Sequence, residues 1–424
     1  MTHQSPIRII IPYIAALTML FPLYAEEEGS PFKEFNKLKL GKVSGQVQFL
    51  WMGRDRNNSG EPNDNHGAST ALTINYVSPE FEGLTLGVQY IHAEEMWEGG
   101  TNNQPHGAAY VLANDGYSLL NHAYLKYNFK HLDWKKSHVT VGRQTINENF
   151  ARTYAIRHKA QAFEAIVLKL ADMENLKVTL GHLERFSSWS SRKNVDTGTA
   201  SNEFIDIADV MGVDYSTNGM QFIEVTTTAI PNTSINVYDY YGEDLFNTMG
   251  AKITHKIDKI TLNVHAAMQR DDGRYDTDGN GDLSSEILEL SVAYKDGGLS
   301  IEPGIMMVAG NSAEDNYQVP FRTSFVVDPT LMGYTSPFEG GSNTAFLKTV
   351  YKWDKNLFYM LYAITDHEEQ TRDASLDQEI DFVVSRNFTK NFYVTIKVGF
   401  GHRDNGSSES NWQSDYRLFI GYKF

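Results

Sequence analysis

The feature that most limits what this chain can fold into is an alternation of period two that recurs from residue 42 to residue 424. "VSGQVQFLW" sets Val43, Val47, Phe49 and Trp51 against Ser44, Gln46 and Gln48. "ALTINY", "LTLGVQY" and "HAYLKYNF" repeat the scheme, as do "ITLNVHAAM", "ILELSVAY", "EIDFVVS" and "VTIKVGF" further on. Such alternation gives a strand one apolar and one polar face. The runs read as about nine to eleven residues, longer than ordinary strands and suited to a tilted crossing of a bilayer.

Two arrangements bury one face of every strand: a soluble sandwich, or a barrel whose apolar face meets lipid. The connections favour the barrel. "SPEFEG", "DGG" and "PNT" are tight, whereas "WEGGTNNQPHGAAYVLANDGYSL" is long. Short turns at one rim and long loops at the other are the asymmetry of a transmembrane barrel. Aromatics make up 12% of the chain, with 23 Tyr and 23 Phe, and they recur near strand ends as an interfacial girdle requires.

The amino terminus fits export. "MTHQSPIRIIIPYIAALTMLFPLYA" has a basic start at Arg8, an apolar run from Ile9 to Leu23, then Ala25 and "EEE". It reads as a signal peptide over residues 1–25, followed by a periplasmic segment at 26–41 and the barrel at 42–424. No later run is apolar enough for a membrane helix, so strands must do the spanning. The formal net charge of −16 and the absence of a basic footprint exclude a nucleic-acid partner. With no cysteine there is no disulfide framework and no thiolate site.

Hydrocarbon cannot satisfy open backbone edges, so such a barrel closes last strand on first. The terminal "SDYRLFIGYKF" alternates Tyr416, Leu418, Ile420, Tyr422 and Phe424 with a mostly polar face. It resembles the closing strand that barrel-assembly machinery recognises. The expected fold is all-β: an antiparallel transmembrane β-barrel of about eighteen strands, with long extracellular loops and short periplasmic turns. Residues 208–216, "ADVMGVDYS", are assigned to a loop hairpin.

Residues 138–188 contain "GRQ" at Gly142-Arg143-Gln144, then Asn147, Arg157 and Phe163-Glu164. This stretch resembles the OprD family of substrate-specific outer-membrane porins. "NTSINVYDYYGEDLFNTMGAKIT" (232–254) and "GNSAEDNYQVPF" (310–321) resemble later family segments in the same order. Ala165 stands where the family has glycine, and Glu148-Asn149 replace Thr-Pro.

The resemblance implies eighteen strands and a ladder of basic side chains that leads carboxylate-bearing solutes past a loop constriction. Counterparts are Arg143, Lys397 and Arg417, with Lys348 and Lys352 adding rungs and Thr395 leaving one out. Strand parity points Lys397 and Arg417 into the lumen. It places Arg143 with Val139 and Val141 on the lipid face, so a bulge at Gly142 is expected to turn it inward. The segment 149–160 is the expected constriction loop, offering Arg152, Tyr154, Arg157, His158 and Lys159. Glu164, Glu289 and Asp381 are expected to face them as lumen acids, giving a transverse field.

"DTDGNGDLSSEI" (276–287) places Asp276, Asp278, Asn280 and Asp282 in a partial calcium loop. Ile287 holds the position of the bidentate Glu. The sequence carries no GxSxG, HExxH or phosphate-loop motif and no sign of an enzyme. It points to passive diffusion of small charged organic solutes, carboxylates or amino acids, through a monomer or loose trimer in outer-membrane lipid. The competing readings are a general non-selective porin of 16–18 strands and a plugged surface barrel whose loops bind a partner or calcium.

Overall fold

The computed structural model describes residues 40–58, 61–100, 116–155, 157–188, 203–277, 283–310, 315–328, 336–367, 376–402 and 412–424. These residues form one antiparallel sheet. Its strands are β1 (Lys42–Asn58), β2 (Glu61–Val77), β3 (Leu84–Gly100), β4 (Tyr117–Asn128), β5 (His138–Gln144), β6 (Ala162–Leu170) and β7 (Leu176–Ser187). Then come the two-residue β8 (Ile205–Asp206), β9 (Met220–Thr227), β10 (Thr233–Gly242), β11 (Phe246–Ile257), β12 (Ile260–Asp271) and β13 (Ser284–Asp296). The last six are β14 (Leu299–Val308), β15 (Ser342–Trp353), β16 (Asn356–His367), β17 (Leu376–Asn387), β18 (Phe392–His402) and β19 (Trp412–Lys423).

The barrel closes as expected: β19 pairs with β1, and Phe424 exchanges two backbone hydrogen bonds with Gly45. Eighteen strands make the wall. The short β8 pairs only with the top of β7, while β9 takes the lower edge of β7. Residues 208–216 are therefore no hairpin. Helix α1 (Ile207–Met211) takes up their first part, capped by left-handed Gly212; a second short helix, α2 (Arg274–Thr277), precedes β13. Strands also run longer than the sequence suggests. β1 has 17 residues because pairing with β2 continues past Trp51 into polar sequence.

The tight rim is built from two-residue hairpins at Asp258-Lys259, Gly297-Gly298 and Asp354-Lys355. Asp258, Gly297 and Asp354 take positive φ, which matches the twist of the flanking strands. All three lie at the end of the barrel opposite the long loops.

Side-chain exposure confirms which face is which. Tyr416 is 37% exposed, whereas Asp415, Arg417 and Phe419 are buried inside. Val141, Ile166, Ile223, Val292, Ile305, Val384 and Ile396 also stand on the exposed outer surface. Among the described residues no helix is long and apolar enough to cross a membrane; the outward apolar belt of the strands is of the kind that a lipid-facing barrel wall carries.

Candidate permeation site

After Gln144 the chain leaves the wall and folds inward. Residues 145–161 make a compact excursion, with bridges Asn147–Arg152 and Ala155–Ala160. A second inward segment, 315–328, meets it through the Arg152–Arg322 bridge. Ser324 donates to the Asn149 carbonyl at 2.8 Å and to its side-chain oxygen at 2.7 Å.

Both segments are tied to the wall. The Asn149 backbone N–H donates to Glu224 on β9 at 2.6 Å, and its amide donates to Asn236 on β10 at 2.7 Å. The Val326 N–H donates to Glu289 on β13 at 2.6 Å. Phe150 packs among Tyr240, Phe246 and Tyr317, with ring centroids 5.4 to 6.1 Å apart. Phe321 reaches Phe163 and Phe186 at 5.2 and 5.1 Å. This aromatic mass is buried against inward side chains from β6 round to β16.

The charged wall lies across from it, on β17, β18, β19 and β1. One rung carries Asp381, Gly399, Asp415 and Arg54; the next carries Val383, Lys397, Arg417 and Met52. Asp415 accepts from Arg417 Nε and Nη2 at 2.6 and 2.9 Å and from Arg54 Nε at 2.5 Å. The Lys397 ammonium sits 5.1 Å from the centre of the Phe419 ring. The inward loop brings Arg157 to the same place. Burial, then the neighbouring Arg417 and Arg54, push the Arg157 guanidinium down to about 9, still charged at neutral pH. A third guanidinium thus stands beside the two that pair with Asp415.

The next two loop residues are anchors. His158 is buried between Gln48 on β1 and Ser69 on β2, at 2.9 and 2.8 Å. The Gln48 amide nitrogen donates to the Tyr393 hydroxyl at 2.7 Å. Its oxygen therefore accepts from His158 Nδ1, leaving Nε2 to accept from Ser69. Burial and the adjacent Arg157 push the imidazole down to about 3, so it is neutral. Lys159 is 1% exposed and donates to Ser187 at 2.6 Å; burial pushes its ammonium down to about 7.

The other sequence-based site residues scatter. Lys348 pairs with Glu302 on β14 at 2.9 Å. Lys352 lies exposed beside the tight rim on the lumen-facing parity of β15. Arg152 is exposed on the inward loop, and Tyr154 stands near Arg322, Asp381 and Arg417. Glu289 and Asp381 face inward and are buried, but Glu289 is occupied in holding the second segment.

Arg143 and Glu164 require correction. Pairing through residues 138–144 stays in register and no bulge forms. Gly142 has φ +114°, and a Cβ there would strike the Ala123 carbonyl; the strand keeps its parity regardless. Arg143 stays outward, donating to Glu164 at 2.7 Å and to the Leu120 carbonyl at 3.1 Å beneath the Phe204 ring. Glu164 is therefore outer-wall, not a lumen acid. Asp278, Asn280 and Asp282 lie outside the described residues, as does the side chain of Asp276; so do residues 1–39.

Sequence reasoning missed Arg54 and Asp415, and with them Lys252, which donates to the Ser324 carbonyl at 3.3 Å. Extending the alternation Gln48, Leu50, Met52 by one step would have found Arg54.

A family model described as outer membrane porin, OprD family, matches residues 50–424. The chain belongs to the OprD family. Among solved structures, this OprD-family porin is similar to a BenF-like porin from Pseudomonas fluorescens Pf-5, with TM-score 0.72 and 12% identity over 91% of this chain and 98% of that one. It is similar to Pseudomonas aeruginosa OpdK with vanillate, with TM-score 0.70 and 13% identity over the same shares. It is also similar to Pseudomonas aeruginosa OccK2 (OpdF) in complex with glucuronate, with TM-score 0.69 and 13% identity over 90% and 98%. At such identities the likeness is one of fold. No curated protein matches the chain.

Proposed function

We propose that this OprD-family porin passes small organic carboxylates passively across the outer membrane. The carrying observation is the pairing of Arg54 and Arg417 with Asp415, with Arg157 of the inward loop beside them, on the wall facing the aromatic fill. The group has net positive charge with planar donors suited to a carboxylate. The guanidiniums are shared with Asp415, so capture is weak enough to allow release, as conduction demands. Vanillate and glucuronate, the solutes named with two of the similar structures, both carry a carboxylate. Residues 1–25 are read as removed on export, with 26–41 left on the periplasmic side.

Planar-bilayer recording with liposome swelling tests this. Aromatic and sugar carboxylates should enter faster than neutral sugars of equal size and should block single-channel current transiently. Arg417→Gln should weaken that block about tenfold, the loss of one charge-assisted interaction. Equal entry of sugars and acids would make the chain a general porin. A silent bilayer would make it a plugged surface barrel.

A further inference from the structure

On β4 to β7, away from the arginine wall of β17 to β1, the lumen face carries a second group of cations. Lys126, His138, Lys169 and Lys177 have the opposite strand parity to Leu125, Val141, Ile166 and Leu180, which stand exposed on the outer surface. The four therefore point inward, and all are half-buried. Lys126 lies across from Thr140 and His138 across from Lys169. Lys169 pairs in turn with Thr179, and Lys177 is one inward step further along β7. His138 is within electrostatic reach of all three ammoniums. The group sits towards the tight-turn ends of these strands, and Glu148 of the inward arm reaches Lys169 at 2.6 Å.

These charges are not balanced from within. Among the described residues neither Lys126 nor Lys177 makes a hydrogen bond or an ion pair. The neighbouring carboxylates are already occupied. Glu80 goes to Lys130 at 2.7 Å, and Glu224 is buried under donors from Asn149, Asn236 and Tyr240. With Glu148 set against Lys169, two ammoniums are left over. In a chain of formal net charge −16, such a local excess on a half-open lumen wall draws anions from solution.

We infer that Lys126, Lys169 and Lys177 form a second anion station, on the periplasmic side of the arm, for small oxyanions that carry more than one negative charge. Two unpaired ammoniums match a doubly charged ion, whereas a monocarboxylate leaves one of them uncompensated. Lysines are compact point charges on flexible stems and suit a rounded oxyanion. The guanidinium forks of Arg54 and Arg417 suit a flat carboxylate instead. Di- and tricarboxylates and inorganic phosphate share the required chemistry. The inference rests on the lumen being a solute path, as proposed above, but on no part of the arginine cluster.

Because the chain contains no cysteine, one introduced thiol reports on this patch alone. Thr85 on β3 lies across from Lys126 and is half-buried. The Thr85→Cys thiol should react roughly tenfold faster with an anionic methanethiosulfonate than with a cationic one of similar size, as in a cleft lined by one sign of charge. Citrate and inorganic phosphate at millimolar concentration should slow the labelling, and acetate at equal ionic strength should not. Adding Lys126→Gln with Lys177→Gln should abolish both the preference and the protection, whereas Lys126→Arg with Lys177→Arg should keep the preference. An uncharged reagent should label all these variants alike, which verifies folding and access. Protection by citrate alone or by phosphate alone would support the station and name its oxyanion. Equal rates for the two charged reagents, or protection by acetate as strong as by citrate, would overturn the inference. Labelling needs no current, so its failure and that of the Arg417→Gln block are read separately.

Discussion

Asp415 is completely buried and engaged by two guanidiniums, with a third close by on the inward loop. At this scale its role is to make tolerable a concentration of positive charge that would otherwise repel itself. Asp415→Asn should therefore act in two opposed directions. Anion over cation permeability, read from reversal potentials across a salt gradient, should rise because the cluster gains a full charge. Folding should weaken by about 3–5 kcal/mol, the cost of stripping one partner from a buried ion pair, seen as a lower temperature of unfolding. A variant with unchanged reversal potential would show that Asp415 lies off the ion path.

At the scale of elements, the inward excursion 145–161 is an anchored arm. His158 spans β1 and β2, and Lys159 reaches β7. His158→Ala should let Arg157 drift and bring the anion selectivity to that of Arg157→Ala, with no further loss when the two are combined. His158→Gln, which can still bridge both partners, should recover most of it. Lys159 supplies a pH dependence. Its docked value of about 7 lies below the ordinary lysine range near 10.4. The undocked arm therefore binds more protons between those limits, and docking strengthens as pH rises from about 7 towards 10. Hydrogen-exchange protection across 157–161, taken relative to the intrinsic rate at each pH, should rise over that interval in the native chain, while Lys159→Met should flatten the trend. Much of this level was legible beforehand. The strands declared themselves through period-two alternation, and parity alone aimed Lys397 and Arg417 correctly. Strand tops such as Asp55 to Asn58 were not legible, because above the bilayer pairing continues where no apolar pattern marks it. Arg143 misled because glycine invites a bulge, yet Gly142 absorbs the strain in its own φ. The β8–α1 excursion rests on contacts with β7 that no local pattern encodes.

For the molecule as a whole, eighteen staves close a ring, and the aromatic fill lies against the side from β6 round to β16. The hydrogen-bonded series Ser69, His158, Gln48, Tyr393 runs from β2 through β1 to β18. It thereby crosses the line where β19 meets β1, and Arg54 with Asp415 crosses the same line directly. Tyr393→Phe, which deletes one bond of the series, should cost about 1 kcal/mol. It should lower the temperature at which the folded band converts on a detergent gel, with conductance preserved. The arm that throttles the channel is thus also the clasp of the cylinder. A nascent barrel whose arm has not yet seated lacks the His158 link at its final join, so throttling and fastening are completed by one and the same docking event.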